Sequence, residues 1–405
     1  MTVTDVTREL PTTAHLPRPY GILGFFGRRL ACGSAMLQLP DGSRHLYRGR
    51  EPGPHGELQV LSPRAVRRLI SGGSTGFAEA YMAGDVDSPD LAAFLRVAAL
   101  NFEAWEERLE GSTTYRMMKR FWHLMRPNSR AGAQRNIAYH YDLGNAFYSA
   151  WLDESMTYSS AVFEHDAMEL GEAQRVKYRR IAEAAELTPD HHLLEIGCGW
   201  GGFAEFAAKE RGARVTAVTI SNEQFAFARR RIQEAGLADR VEVRLQDYRD
   251  IPERFDRIAS IEMFEAVGEK YWPAYFAKVQ DSLRPGGRAA LQVITIADSF
   301  FERYRRGADF IQRYIFPGGM LPSPSVLQRQ VETAGLRWVA DHGYGTHYAR
   351  TLADWHERFD AAWPKLTDLG FDDYFQRMWK YYLAYCEAGF ATGRIDVRQL
   401  TLARD

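Results

Sequence analysis

The sequence predicts an α/β fold: a mostly parallel sheet with helices on both faces, preceded by a smaller α/β domain. Three observations carry this expectation. From about residue 170 short apolar strands alternate with amphipathic helical segments, the rhythm that builds a parallel sheet between two helix layers. A glycine-rich turn, Gly197-Cys198-Gly199-Trp200-Gly201-Gly202, lies between a strand and a helix. The chain has 405 residues, more than one average domain holds, and its first hundred follow a different pattern.

Residues 1–20, with Pro11, Pro17 and Pro19, read as a flexible tail. Residues 21–110 read as the small domain. Segments 35–39 and 44–47 alternate about Pro40-Asp41-Gly42 and predict a hairpin with a tight turn. Ser62-Pro63 opens a helix with Val66, Leu69 and Ile70 on one face, and Gly72-Gly73 stops it. Further helical pattern covers about 75–83 and 89–109. Residues 111–135 read as a linker. There Arg116, Lys119, Arg120, Arg126, Arg130 and Arg135 stand among Tyr115, Met117, Phe121 and Trp122 with no acidic residue between them. Such a stretch suits an anionic bilayer surface, and equally a solvated connection between domains.

Residues 136–405 read as one large domain. A helix over 172–187 carries Ala173, Val176, Ile181 and Ala184 on one side. Strand 193–196, the glycine turn and a helix near 202–210 follow. Then come strand 214–219, helix 222–235, strands 241–245 and 255–261, helix 270–283, the turn Pro285-Gly286-Gly287 and strand 288–294. A ligand of such a sheet belongs beyond the carboxyl ends of the strands, where strand order reverses.

Composition narrows the class. Apolar residues are 45% and charged ones 25%, enough for an ordinary buried core. The net charge of −1 gives no bulk attraction to nucleic acid, and no basic footprint covers the large domain. Cys32, Cys198 and Cys386 are odd in number and far apart, which argues for a reducing compartment. No signal peptide is read at the start, and no uncharged apolar run approaches the roughly 20 residues that span a bilayer. The expected location is cytoplasmic.

The glycine turn lets the backbone approach a ligand where a Cβ would collide. A dinucleotide site needs a third glycine at a spacing that Gly199-Trp200-Gly201 breaks. With Glu195 at the preceding strand end, Thr219-Ile220-Ser221 at the next, and Gln246-Asp247-Tyr248 at the third, the pattern fits S-adenosylmethionine (SAM) better. Asp247 and Tyr248 would clamp adenine, carboxylate to amine and ring to ring. Ser221-x-x-Gln224 also fits a helix capping box, which needs no ligand.

Residues 138–163, which include Tyr139-His140-Tyr141-Asp142-Leu143-Gly144 and Met156-Thr157-Tyr158-Ser159-Ser160, carry a more specific signal. Together with Gly197–Gly202, Met263-Phe264-Glu265-Ala266-Val267-Gly268 and Phe316-Pro317-Gly318-Gly319, they resemble the cyclopropane-fatty-acid synthases and mycolic-acid methyltransferases. The resemblance runs from about residue 20 to the C-terminus. It implies a class I SAM-dependent methyltransferase fold in residues 136–405, and methyl transfer to the double bond of an unsaturated phospholipid acyl chain. It also implies SAM held by Tyr158, Ser159, Gly197, Gly199, Trp200, Thr219 and Gln224. A bicarbonate base would be held by Ser160, Glu265, Gln292, Tyr348 and the Ile294 backbone. Ser160 stands where Cys is usual, and Gln292 where His is usual. These two departures leave the product open between a cyclopropane and a methylene or methyl branch, and they motivate a further alternative, a non-catalytic lipid-binding protein. The resemblance further implies a peripheral enzyme at the inner membrane face, with lipid engagement or homodimer contact assigned to residues 21–110. Late aromatics, among them Phe300, Phe301, Tyr304, Trp379, Tyr381 and Tyr382, are candidates for an acyl tunnel, although each alone fits a plain core better.

Overall fold

The computed structural model describes residues 16–110 and 143–405, apart from the side chains of 106–110. The linker 111–135, most of the tail and the first part of the 138–163 motif lie outside the described residues. The chain divides into two compact units, residues 1–134 with 371–392, and residues 135–370 with 393–405.

In the first unit, helix α1 (Gly21–Gly27) precedes strands β1 (Cys32–Gln38), β2 (Arg44–Arg48) and β3 (Glu51–Val60). Helix α2 (Arg64–Met82), strand β4 (Val86–Asp87) and helix α3 (Leu91–Glu110) follow, and the sheet order is β2-β1-β3-β4. The hairpin expected around Asp41-Gly42 is present, with Met36 opposite Leu46. Strand β3 escaped the sequence pattern because Pro52, Gly53, Pro54 and Gly56 interrupt its alternation. It nonetheless pairs parallel to β1. Gly73, at φ 58° and ψ −135°, kinks α2 into two helical stretches, a backbone conformation that glycine adopts at no steric cost.

In the second unit, helix α4 (Gly144–Ser149) and helix α5 (Leu170–Ala184) lead into the sheet. The alternation is β5 (His192–Ile196), α6 (Gly202–Arg211), β6 (Arg214–Thr219), α7 (Asn222–Glu234), β7 (Val241–Leu245), β8 (Phe255–Ile261), α8 (Trp272–Ser282) and β9 (Leu283–Ile296). Short helices α9 (Asp298–Tyr304) and α10 (Phe310–Tyr314) come next. Then follow α11 (Pro324–Thr333), β10 (Arg337–Gly343), α12 (Gly345–Asp368) and β11 (Ile395–Ala403). In the order β10-β11-β9-β8-β5-β6-β7 six strands run the same way, and β11 is antiparallel to both its neighbours. Pro285-Gly286-Gly287 lies inside β9, at a register irregularity against β8, instead of forming a separate turn. Strand order reverses between β5 and β8. Apolar side chains of both sheet faces, such as Leu194 and Leu291 on one and Leu193 and Val215 on the other, build two cores.

Helix α13 (Asp373–Ala391) belongs to the first unit, whereas the sequence pattern had placed all of 136–405 in one domain. Its Tyr381 ring packs 5.8 Å from Tyr81 and 6.3 Å from Phe77. Trp379, Tyr382 and Phe390 are likewise buried in this unit. These rings are core, as is Phe301 in the second unit. Among the described residues no helix is long and apolar enough to cross a membrane.

Candidate active site

The turn after β5 reaches the point where strand order reverses. Gly197, Gly199 and Gly201 have φ of 80°, 53° and 82°, values that strain residues with a side chain. A Cβ at Gly197 would sit 2.6 Å from Met263 Cγ. At Gly199 nothing lies within 4 Å of that position, so a ligand can approach the bare backbone there. Glu195 is buried in β5, and burial pushes its carboxyl pKa up to about 8. Its Oε2 has no hydrogen-bond partner among the described residues. The open backbone at Gly199 fits a ligand that lies directly against the main chain, as SAM would.

The other residues expected to hold SAM are arranged as follows. Tyr158 packs among Tyr148, Trp151 and Trp355, with centroids 5.3, 5.8 and 5.2 Å away. Ser159 Oγ accepts a hydrogen bond from Lys177 Nζ at 2.7 Å. Trp200 is buried, and its indole N–H donates to Asn145 Oδ1 at 2.7 Å, tying the glycine turn to α4. The Thr219 hydroxyl donates to Gln224 Oε1 at 2.8 Å, and Ser221 caps α7 by accepting the Gln224 N–H. Asp247 is engaged by Arg249 through the backbone N–H at 2.9 Å and the guanidinium at 2.9 and 2.6 Å. These bonds hold its carboxyl below the usual range. Any adenine amine at Asp247 would share oxygens already paired with Arg249. Tyr248 is half-buried against Tyr275, 5.6 Å between centroids.

The residues expected to hold an anion do gather, but around a carboxylate that the sequence pattern did not single out. Glu262 follows β8 directly. Its Oε1 accepts from the Ser160 backbone N–H at 2.8 Å and from Gln292 Nε2 at 2.7 Å. Its Oε2 accepts from the Tyr348 hydroxyl at 2.7 Å. The Ser160 hydroxyl turns away to the Ala161 carbonyl at 3.0 Å. The second Gln292 N–H reaches the Ser160 carbonyl at 3.3 Å. The Ile294 N–H serves Glu265 instead, bonding to its Oε1. Glu265 Oε2 is buried without a partner among the described residues. Burial and the neighbouring Glu262 charge push the Glu265 pKa up to about 8.

Glu262 itself sits at φ 51°, a left-handed conformation that costs a side-chain-bearing residue about 1–2 kcal/mol. Such strain persists where the surroundings over-determine it, as its three donors and its own N–H to Gln292 O at 2.8 Å do here. Burial is the larger influence and raises its pKa above the ordinary carboxylate value, against the bonds from Tyr348, Gln292 and Ser160, which lower it. The signal in the sequence was an acidic residue at the carboxyl end of a core strand, one position before the Met263–Gly268 motif. Lys177 was also missed. It lies four residues after Ala173 and four before Ile181, so it falls on the apolar face of α5 and is fully buried.

A profile of the mycolic acid cyclopropane synthetase family matches residues 128–400. The chain belongs to that family. Among its relatives is the tuberculostearic acid methyltransferase of Mycobacterium tuberculosis. The two are 43% identical over 369 residues, 86% of this chain and 83% of that one. The cyclopropane-fatty-acyl-phospholipid synthase of Escherichia coli is 35% identical over 362 residues, covering 86% and 88%. A mycolic acid cyclopropane synthase solved with SAH and CTAB superposes at a TM-score of 0.63 with 31% identity, over 67% of this chain and 98% of its own. Membership makes this chain a SAM-dependent methyltransferase of the class I fold, as the resemblance implied.

Proposed function

We propose that this methyltransferase acts on the double bond of an unsaturated phospholipid acyl chain, with Glu262 as the base that ends the reaction. SAM supplies an electrophilic methyl, which the alkene π pair captures, leaving positive charge on the neighbouring chain carbon. The convergence of Ser160 N–H, Gln292 and Tyr348 on Glu262 carries the assignment. Those donors would be needed to hold a bicarbonate, and a further anion beside the Glu262 carboxylate would be repelled. The residues therefore do not fit a bicarbonate, and Glu262 takes its place. The lipid-binding alternative loses its motive, since Gln292 and the Ser160 backbone are used in holding this carboxylate.

The product follows from how fast Glu262 removes a proton. Its three donors must loosen before it can take a proton, which slows the transfer. A slower proton loss lets a hydride move from the methylated carbon to its cationic neighbour, placing the charge on the more substituted carbon. Glu262 then takes a proton from the new methyl, and the released C–H pair closes an exocyclic C=CH2. The expected product is a methylene branch, in keeping with the methyl-branched acid in the name of the Mycobacterium tuberculosis relative. Similarity to the Escherichia coli cyclopropane-fatty-acyl-phospholipid synthase favours the alternative, ring closure before the hydride moves. The two products are isomers, so mass alone does not separate them. Lipids from a host lacking both, expressing this chain, should show terminal =CH2 protons by NMR. Ring protons would support the alternative, and unmodified chains beside a folded, SAM-binding protein would overturn the activity. The lipid is met at the inner membrane face, which co-sedimentation with phospholipid vesicles tests.

A further inference from the structure

The segment that carries Ser160 is gripped from behind by one face of α5. Gln174 Nε2 donates to the Ser159 carbonyl at 2.9 Å, and one turn later Lys177 Nζ donates to the Ser159 hydroxyl at 2.7 Å. The next peptide N–H, that of Ser160, binds Glu262. Lys177 has no exposed surface, and a buried ammonium is costly unless it is paired or neutralised. Burial pulls its pKa down to about 7, so it carries its charge below about pH 7. The carboxyls of Glu262 after β8, Asp153 after α4 and Glu195 in β5 pull the other way. Glu195 is itself pushed up to about 8, towards its neutral form.

We propose that Lys177 is a positioning residue of the methyl-transfer site, holding Ser159 in place and lending Glu262 its buried counter-charge. The inference rests on Glu262 being the base. It explains a lysine on the apolar face of a helix, where a methionine would pack without the desolvation cost. An opposite charge near a carboxylate lowers its pKa by roughly one to three pH units. Removing the ammonium therefore moves the rising limb of the pH–turnover profile to higher pH.

The test measures turnover against pH on oleoyl-phospholipid vesicles with labelled SAM, for the full chain and its Lys177→Met, Lys177→Arg and Glu262→Gln variants. Lys177→Met is expected to shift the rising limb up by about one pH unit, so that turnover drops about tenfold on the limb and recovers at alkaline pH. Lys177→Arg keeps the charge and should keep the limb in place even if turnover falls. An unshifted limb in Lys177→Met, with Glu262→Gln inactive, overturns the role of Lys177 and leaves the base assigned. An active Glu262→Gln overturns the base assignment, and this proposal with it. If Lys177→Met does not fold, Lys177→Gln carries the same expectation. Failure of both neutral variants to fold makes Lys177 a purely structural residue and overturns the proposal.

Discussion

Gln399, on β11, donates its amide N–H to Gln292 Oε1 on β9 at 2.9 Å, and so fixes which way the Gln292 amide faces. With its oxygen taken, Gln292 must turn its NH2 towards Glu262 and the Ser160 carbonyl. Both glutamines are buried and directly paired across antiparallel strands. Replacing Gln399 by Leu removes this orientation and leaves a buried amide oxygen unpaired, at a cost of about 1–3 kcal/mol. Turnover is expected to fall about tenfold while SAM affinity, measured by calorimetry, stays within about twofold. Loss of affinity equal to the loss of turnover would show that Gln399 supports the cofactor instead.

Glu262→Gln should lower turnover by about a hundredfold or more, the scale of losing a general base. Glu262→Gly is the sharper variant, because it empties a carboxylate-sized space and relieves the φ of 51°. Ser160 N–H, Gln292 and Tyr348 then face a space that a small anion can fill. Turnover of Glu262→Gly should therefore rise on adding bicarbonate or formate, whereas Glu262→Gln, whose side chain still fills the space, should not respond. Equal response of the two variants would sink the substitution of Glu262 for an external anion.

Much of the fold was legible because its signals are local. Strands β6, β7 and β8 match their expected bounds, since each carries β-branched residues over a short span. Strands β10 and β11 were not anticipated, because their pairing joins residues near 340 with the C-terminus and leaves no periodic trace nearby. Helix α13 is aromatic-rich, but only contacts distant in sequence show that its rings fill the first unit. Of the candidate site, the glycine turn, Glu265, Gln292 and Tyr348 were expected, the last three through the family resemblance. Glu262 was not, because its importance comes from three donors on three separate segments. Lys177 was hidden for the same reason, as its partner Ser159 precedes it by 18 residues.

Glu265 gives a pH-dependent prediction. Its folded-state pKa is pushed up to about 8 from an ordinary 4.5. Between those values the folded state holds the proton and the unfolded state does not, so stability falls as pH rises through that window. Above about 8 both states are ionised and the loss is complete. Glu265→Gln stays neutral and escapes this loss. Its Tm relative to the wild type should climb steadily through the same window in calorimetric scans. Its amide can still accept the Ile294 N–H, but its NH2 then stands where Oε2 is. If that group hydrogen-bonds to Glu262, the base is weakened, so turnover is expected to fall several-fold with SAM affinity nearly unchanged. A Tm difference that is flat with pH would show that Glu265 is ionised throughout.

In the first unit a single buried side chain holds the start of the sheet. Asn101, on α3, accepts the backbone N–H groups of Ala31 and Cys32 at 2.6 and 3.1 Å through its Oδ1. Its Nδ2 donates to the carbonyls of Cys32 at 2.9 Å and Val97 at 2.8 Å. It has no exposed surface, so its full amide capacity is spent inside the protein. Asn101→Leu has similar volume but satisfies none of these groups, and each buried group left unpaired costs about 1–3 kcal/mol. Part of that cost is relieved where water reaches the edge of β1, so a net loss of about 3 kcal/mol is expected in urea unfolding of this unit. Asn101→Asp keeps the two accepted bonds, loses both donated ones and adds a buried charge. It should therefore be less stable than Asn101→Leu at neutral pH, and should gain on it as pH falls and the carboxyl protonates. If both variants unfold at the wild-type urea concentration, the amide does not anchor β1 to α3.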